Sequence, residues 1–116
     1  RVMNTRKYLQ DGIEISELGF GAWQLGIESG WKAVSDAEAE RMIRTALDHG
    51  INFFDTAPNY GMGTSEQRLG KVLKSLDRSK VVINSKFGRL DNGEVDFSSS
   101  LIRASVERSL KRLQVE

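Results

Sequence analysis

The stretch INFFDTAPNYG, residues 51–61, joins a strand-like run to a polar loop. Ile51 to Phe54 is a short run, apolar except at Asn52, of the kind a buried parallel strand uses. It ends in Asp55, a residue poorly suited to strands and costly to bury without a partner. Pro58, the only proline of the chain, then turns the backbone into a loop that carries Tyr60. A strand that closes on a carboxylate and opens into a polar loop places polar chemistry at one end of a sheet.

Outward from this strand, apolar runs alternate with helix-periodic segments. Upstream, Ser35 and Glu38 have the spacing of a capping box. Ala39, Met42, Ile43, Ala46 and Leu47 follow on one helical stripe, and Gly50 suits the position just past the helix end. Farther upstream, ELGFGAWQLG (17–26) predicts a short strand opening into a loop whose glycines, at 19, 21 and 26, allow a close backbone approach. Before it, Asp11-Gly12 predicts a two-residue hairpin turn. Downstream, Thr64 and Gln67 read as a second capping box on a helix from Ser65 to about Leu76, with Leu69, Val72, Leu73 and Leu76 inward. KVVINSKFG (80–88) is a β-branched strand with Lys86 near its end. Ile102, Val106, Leu110 and Leu113 mark a third helix after the serines of FSSS (97–100).

The order hairpin, β, α, β, α, β, α predicts an α/β protein with parallel strands and right-handed crossovers. In such a sheet every strand ends on the same side, so Asp55 and Lys86 emerge together with Tyr60 beside them. Two readings of that trio stand open. It is a structural ion pair with a loop-anchoring tyrosine, or a proton-donor site in which an ammonium stabilises a phenolate and so makes the phenol a better acid. Three parallel strands do not close a barrel and leave open edges, so a larger fold continuing beyond Glu116 is expected.

Composition narrows the function classes. The 116 residues are 39% hydrophobic and 28% charged with a net charge of +1, which offers no strong field for nucleic acid or an anionic membrane. There is no cysteine, which rules out disulfides, thiol nucleophiles and thiolate metal sites within this sequence and favours a cytoplasmic compartment. One histidine, His49 beside Gly50, makes no ordinary zinc site and instead suits a helix C-terminus, so no metal is expected. Gln24 and Glu66 stand where a dinucleotide fingerprint needs glycine or alanine, and Gly70-Lys71 lacks the flanks of a P-loop. Arg103, Arg108, Lys111 and Arg112 read as the solvated face of the third helix. Of Trp23 and Trp31, which flank the first loop, Trp23 is the one expected to wall a pocket.

HGINFFDTAPNYGMGTSEQRLG (49–70), followed by VVINSKFG (81–88) and SSSLIRASVERSLKRLQ (98–114), resembles the N-terminal part of the aldo-keto reductases. The opening hairpin and LGFGAWQLG (18–26) fit as well. The resemblance implies a fold: the N-terminal portion of a (β/α)8 TIM barrel preceded by a short β-hairpin, one barrel without a second domain. It implies an NADP(H)-dependent oxidoreductase that interconverts aldehydes or ketones and alcohols by hydride transfer. By motif position Asp55, Tyr60 and Lys86 match the catalytic Asp, Tyr and Lys. Gly21, Ala22 and Trp23, with Asp55, would lie against the cofactor. The family's catalytic histidine and most cofactor-gripping segments come later than Glu116, and His49 does not match. The expected partner is a small carbonyl or sugar-like substrate, with no nucleic acid and no membrane. Oligomeric state is left open, and residues 1–116 alone are expected to be inactive and to bind NADPH weakly. A non-catalytic nucleotide-binding or regulatory barrel subunit, or an inactive barrel fragment, is the alternative.

Overall fold

The alternation of strand-like and helix-like segments takes shape in a computed structural model that describes residues 2–10, 12–27 and 32–116. Strands β1 (Thr5–Lys7) and β2 (Glu14–Ser16) form an antiparallel hairpin. There follow β3 (Phe20–Gly21), α1 (Asp36–Asp48), β4 (Phe53–Asp55), α2 (Thr64–Leu73), β5 (Val82–Asn84) and α3 (Ser99–Leu113). The sheet order is β3-β4-β5 with both pairings parallel, so every strand points the same way.

Alternation along the strands separates two faces. Phe54 is fully buried, stacks at a tilt on Phe20 with centroids 5.5 Å apart, and shares a core with Ile43 of α1, Leu69, Val72 and Leu73 of α2 and Leu113 of α3. Ile83 of β5 packs against the same core. Phe53 and Asp55 project from the opposite face and are half-buried, so the strand expected to be covered on both faces is fully covered on one. The site lies on that second face.

The hairpin closes the other end of the sheet. Asn52, just before β4, accepts from the Ser16 backbone N–H at 2.8 Å and donates its amide to the Glu14 carbonyl at 2.8 Å, while its own N–H donates to Ser16 Oγ. That end of the sheet is thereby tied down away from Asp55. The hairpin turn is longer than the expected two residues: Tyr8 N–H donates to the Ile13 carbonyl across it, and Leu9 carries the left-handed φ of 65°. Asp11 lies outside the described residues, as does Trp31.

Capping explains where the helices begin. Ser35 and Glu38 make the full reciprocal capping box of α1. At its other end the His49 ring bonds the Thr45 carbonyl through Nδ1 at 2.8 Å, a structural use of that histidine. The box expected from Thr64 and Gln67 is not formed. Gly63, at φ 95°, is the N-cap of α2, Thr64 Oγ1 donates to the Gly61 carbonyl, and the helix ends at Leu73 rather than Leu76. Ser98 caps α3 through the Leu101 N–H. Among the described residues no helix is long and apolar enough to cross a membrane.

One charge placement departs from the sequence reading. Arg112 is not a solvated residue: its Nε donates to Glu66, whose side chain is fully buried, and Ser85 Oγ donates to the other oxygen of that carboxylate at 2.7 Å. This ion pair joins α2 to α3 and holds the end of β5. Arg112→Met should leave the buried carboxylate without its cation and cost about 3–5 kcal/mol. Denaturant unfolding of the whole protein measures this, and a loss below ~1 kcal/mol would contradict it.

Candidate active site

Parallel pairing brings the polar strand ends into one cluster. Gly21 pairs with Asp55 and Asp55 with Asn84, so three strand ends stand in a row. Residues 82, 84 and 86 alternate with Ile83 and Ser85, which puts Asn84 and Lys86 on the face of Asp55, and Ser85 on the helix side beside Glu66.

Lys86 is the centre of the cluster. Its Nζ donates to Asp55 Oδ2 at 2.9 Å, to the Thr56 carbonyl at 2.9 Å and, in a longer contact, to the Tyr60 hydroxyl at 3.3 Å. The ammonium also stands 5.0 Å from the centroid of the Tyr60 ring, within cation–π range. Asn84 Nδ2 donates to the second oxygen, Asp55 Oδ1, at 2.6 Å, so each carboxylate oxygen has its own donor.

Burial is the strongest single influence on Asp55 and pushes its carboxyl pKa up, but the hydrogen bonds from Lys86 and Asn84 and the lysine charge together outweigh it, leaving the group below its ordinary 3.8. Burial likewise pulls Lys86 down. Its bonds to Asp55 and Tyr60 and the charge of the carboxylate more than offset this, so the ammonium is held above its ordinary 10.5. The pair therefore stays ionised across the neutral range.

Tyr60 is placed by backbone contact. A Cβ on Gly26 would come within 2.4 Å of the Tyr60 carbonyl carbon, and one on Gly61, at φ +65°, within 2.2 Å of the Gly26 oxygen. The two loops thus meet backbone to backbone with no room for side chains. Arg68, only 14% exposed, secures the same first loop by donating to the Leu25 carbonyl at 2.6 Å and to Asp36 at 2.8 Å.

The first-loop candidates lie beside this cluster. Ala22 is fully buried and its N–H donates to the Asp55 carbonyl at 2.8 Å. Trp23 begins a single 3-10 turn, Trp23–Gly26, and is 49% exposed. A Cβ on Gly21 would meet nothing within 4 Å, so space in front of it is open. The sequence points to no site role for Asn84, Thr56 or Ser65, and reads Glu66 only as a mismatch to a dinucleotide fingerprint. Asn84 carried a usable signal, since it stands two residues before Lys86 and so on its face; the other three are defined by partners 9 to 46 residues away.

Comparison with known proteins bears on this arrangement. A model of the aldo/keto reductase family matches residues 17–116. L-Galactose dehydrogenase of Arabidopsis thaliana is 46% identical over 107 residues, covering 90% of this chain and 33% of that protein. An aldo-keto reductase of Bacillus halodurans in its holo form superimposes with a TM-score of 0.81 at 34% identity, over 97% of this chain and 37% of that one. An aldo-keto reductase of Klebsiella pneumoniae in complex with NADPH does so with a TM-score of 0.75 at 25% identity, over 99% and 37%. The chain thus spans about a third of the length of the curated relatives it matches. Its fold is the N-terminal portion of a (β/α)8 barrel preceded by a hairpin.

The two shifts set a pH window. Asp55, lowered on folding, contributes stability that is complete above 3.8 and lost as pH falls through its folded value; Lys86, raised, contributes stability complete below 10.5 and lost as pH rises through its own. The stability difference between wild type and Asp55→Asn should therefore be flat from roughly pH 5 to 9 and shrink at both extremes. Denaturation midpoints across pH measure it, and a difference that changes through neutrality would count against this pairing.

Proposed function

This chain belongs to the aldo/keto reductase family, and from that premise we propose that it is part of an NADP(H)-dependent oxidoreductase that interconverts a small aldehyde or ketone and its alcohol. The observation that carries the proposal is one ammonium bonded to both a carboxylate and a phenol at the open end of a parallel sheet. We read the described residues as part of a single barrel, cytoplasmic in location.

In this reading Tyr60 is the proton donor. Its hydroxyl gives a proton to the carbonyl oxygen as negative charge develops there, and the Lys86 charge beside it stabilises the phenolate left behind. Asp55 keeps the lysine charged and pointed at the phenol, and Asn84 keeps the carboxylate from rotating away. In the oxidative direction the same phenolate takes the proton of the alcohol. The nicotinamide, when bound, supplies or accepts the hydride. Residues suited to holding it are Gly21, in front of which space is open, the backbone of Ala22, the exposed ring of Trp23, and Asp55. A sugar-like substrate is favoured by the likeness to L-galactose dehydrogenase.

The test uses the whole protein, NADPH and a panel of aldehydes and aldoses. Tyr60→Phe should lower kcat by about 10² to 10⁴ while the Kd for NADPH changes little, because ring packing is kept and only the proton is lost. Lys86→Met should lower kcat in the same direction. Turnover by Tyr60→Phe within threefold of wild type would show that another group is the acid.

A further inference from the structure

Two buried hydroxyls beside the cluster have no part in the chemistry above. Thr56 follows Asp55, Ser65 lies in the first turn of α2, and both are fully buried. Ser65 Oγ donates to the Ala22 carbonyl at 2.7 Å. Its one hydrogen is then committed, so in the 2.9 Å contact between Thr56 Oγ1 and Ser65 Oγ the threonine is the donor. The backbone of Thr56 is equally occupied: its N–H donates to the Asn84 carbonyl at 2.8 Å, and its carbonyl accepts from Lys86 Nζ at 2.9 Å.

These bonds close a ring. Ala22 N–H reaches the Asp55 carbonyl, the chain steps to Thr56, its hydroxyl reaches Ser65, and Ser65 returns to the Ala22 carbonyl. The peptides on both sides of Ala22 are therefore clamped, one to β4 and one to α2. β3 ends at Gly21, and the Ala22 carbonyl accepts from the Leu25 N–H at 3.1 Å within the first loop, so the shorter bond from Ser65 is the one that ties it to α2. Valine at 56 and alanine at 65 would fill similar space without burying two hydroxyls, which are costly to desolvate. The hydroxyl pair is better suited to fixing a position than to filling a core.

We propose that Thr56 and Ser65 are positioning residues for the reductase site, a buried hydroxyl relay that locks the backbone of Ala22 and Trp23 against Lys86 and Tyr60. The inference rests on the reading of the site given above. The relay links the loop proposed to seat the nicotinamide with the residue whose carbonyl holds the lysine. It thereby sets the separation between hydride donor and proton donor, a quantity to which rate is steeply sensitive and affinity is not.

The experiment compares Thr56→Val, Thr56→Ser and Ser65→Ala with wild type in the whole protein, reading kcat, KM, the Kd for NADPH and the isotope effect with NADPH deuterated at the transferred position. Thr56→Val and Ser65→Ala should each lower kcat by about tenfold to a hundredfold with KM and Kd within about threefold, and should raise the expressed isotope effect as hydride transfer becomes limiting. Thr56→Ser, which keeps the hydroxyl, should return kcat to within about threefold of wild type. The two disruptive variants enter the relay from opposite ends, so either suffices if the other does not fold. A folded Thr56→Val or Ser65→Ala with wild-type kcat, or a Thr56→Ser as slow as Thr56→Val, would overturn the relay while leaving the reductase reading intact. A folded wild-type protein that reduces none of the carbonyls would overturn that reading and the relay with it.

Discussion

The parallel register of β4 with β5, Asp55 opposite Asn84, is the constraint on which the site depends. Because side chains alternate along a strand, that register puts Asn84 and Lys86 on the open face with Asp55 and sends Ile83 and Ser85 toward the helices. A slip of one residue would exchange these sets, burying an ammonium in the core and exposing the apolar side chain that packs there. The register is therefore enforced by the core itself: Phe54 and Ile83 have a place only if Asp55 and Lys86 point outward.

The helix side of the sheet holds the open side in place. Ser85 is fastened by the buried Glu66, which Arg112 neutralises, so the residue directly before Lys86 is tied to two helices. Thr56 is tied through Ser65 to the first loop. Gly26 and Gly61 let the backbones around Tyr60 touch. The cluster of Asp55, Lys86 and Tyr60 is half-exposed, yet each of its members follows a residue or peptide that is buried or bonded. A polar group that must keep its geometry in water needs this kind of support, because an exposed ion pair by itself has little energy with which to hold two flexible side chains.

How much of this was legible follows from how local each interaction is. The order of strands and helices and the gathering of Asp55, Lys86 and Tyr60 at one end were readable, because they depend on hydrophobic period and on the direction of parallel strands. The α1 capping box was readable because both partners lie within four residues. The start of α2 differs from the sequence reading because Gly63 takes the cap in a left-handed conformation, while the Thr64 hydroxyl turns back to the Gly61 carbonyl. Arg112 looked solvated on a helical wheel because its partner, Glu66, is 46 residues away. The hairpin turn failed for a related reason: a dipeptide preference was outweighed by the longer closure between Tyr8 and Ile13. Thr56 and Ser65 carry no pattern at all, since a hydroxyl that caps one distant carbonyl looks like any other serine or threonine.

In the proposed function Lys86, charged and bonded to Asp55, presents the Tyr60 hydroxyl as the acid for a bound carbonyl. A crystal structure of the whole protein with NADP+ and an unreactive carbonyl or carboxylate analogue tests it most directly. The analogue's oxygen is expected within about 2.6–3.2 Å of the Tyr60 hydroxyl, with the Lys86–Asp55 bond retained behind it. An analogue whose oxygen is held by a different donor, with Tyr60 turned away, would contradict it.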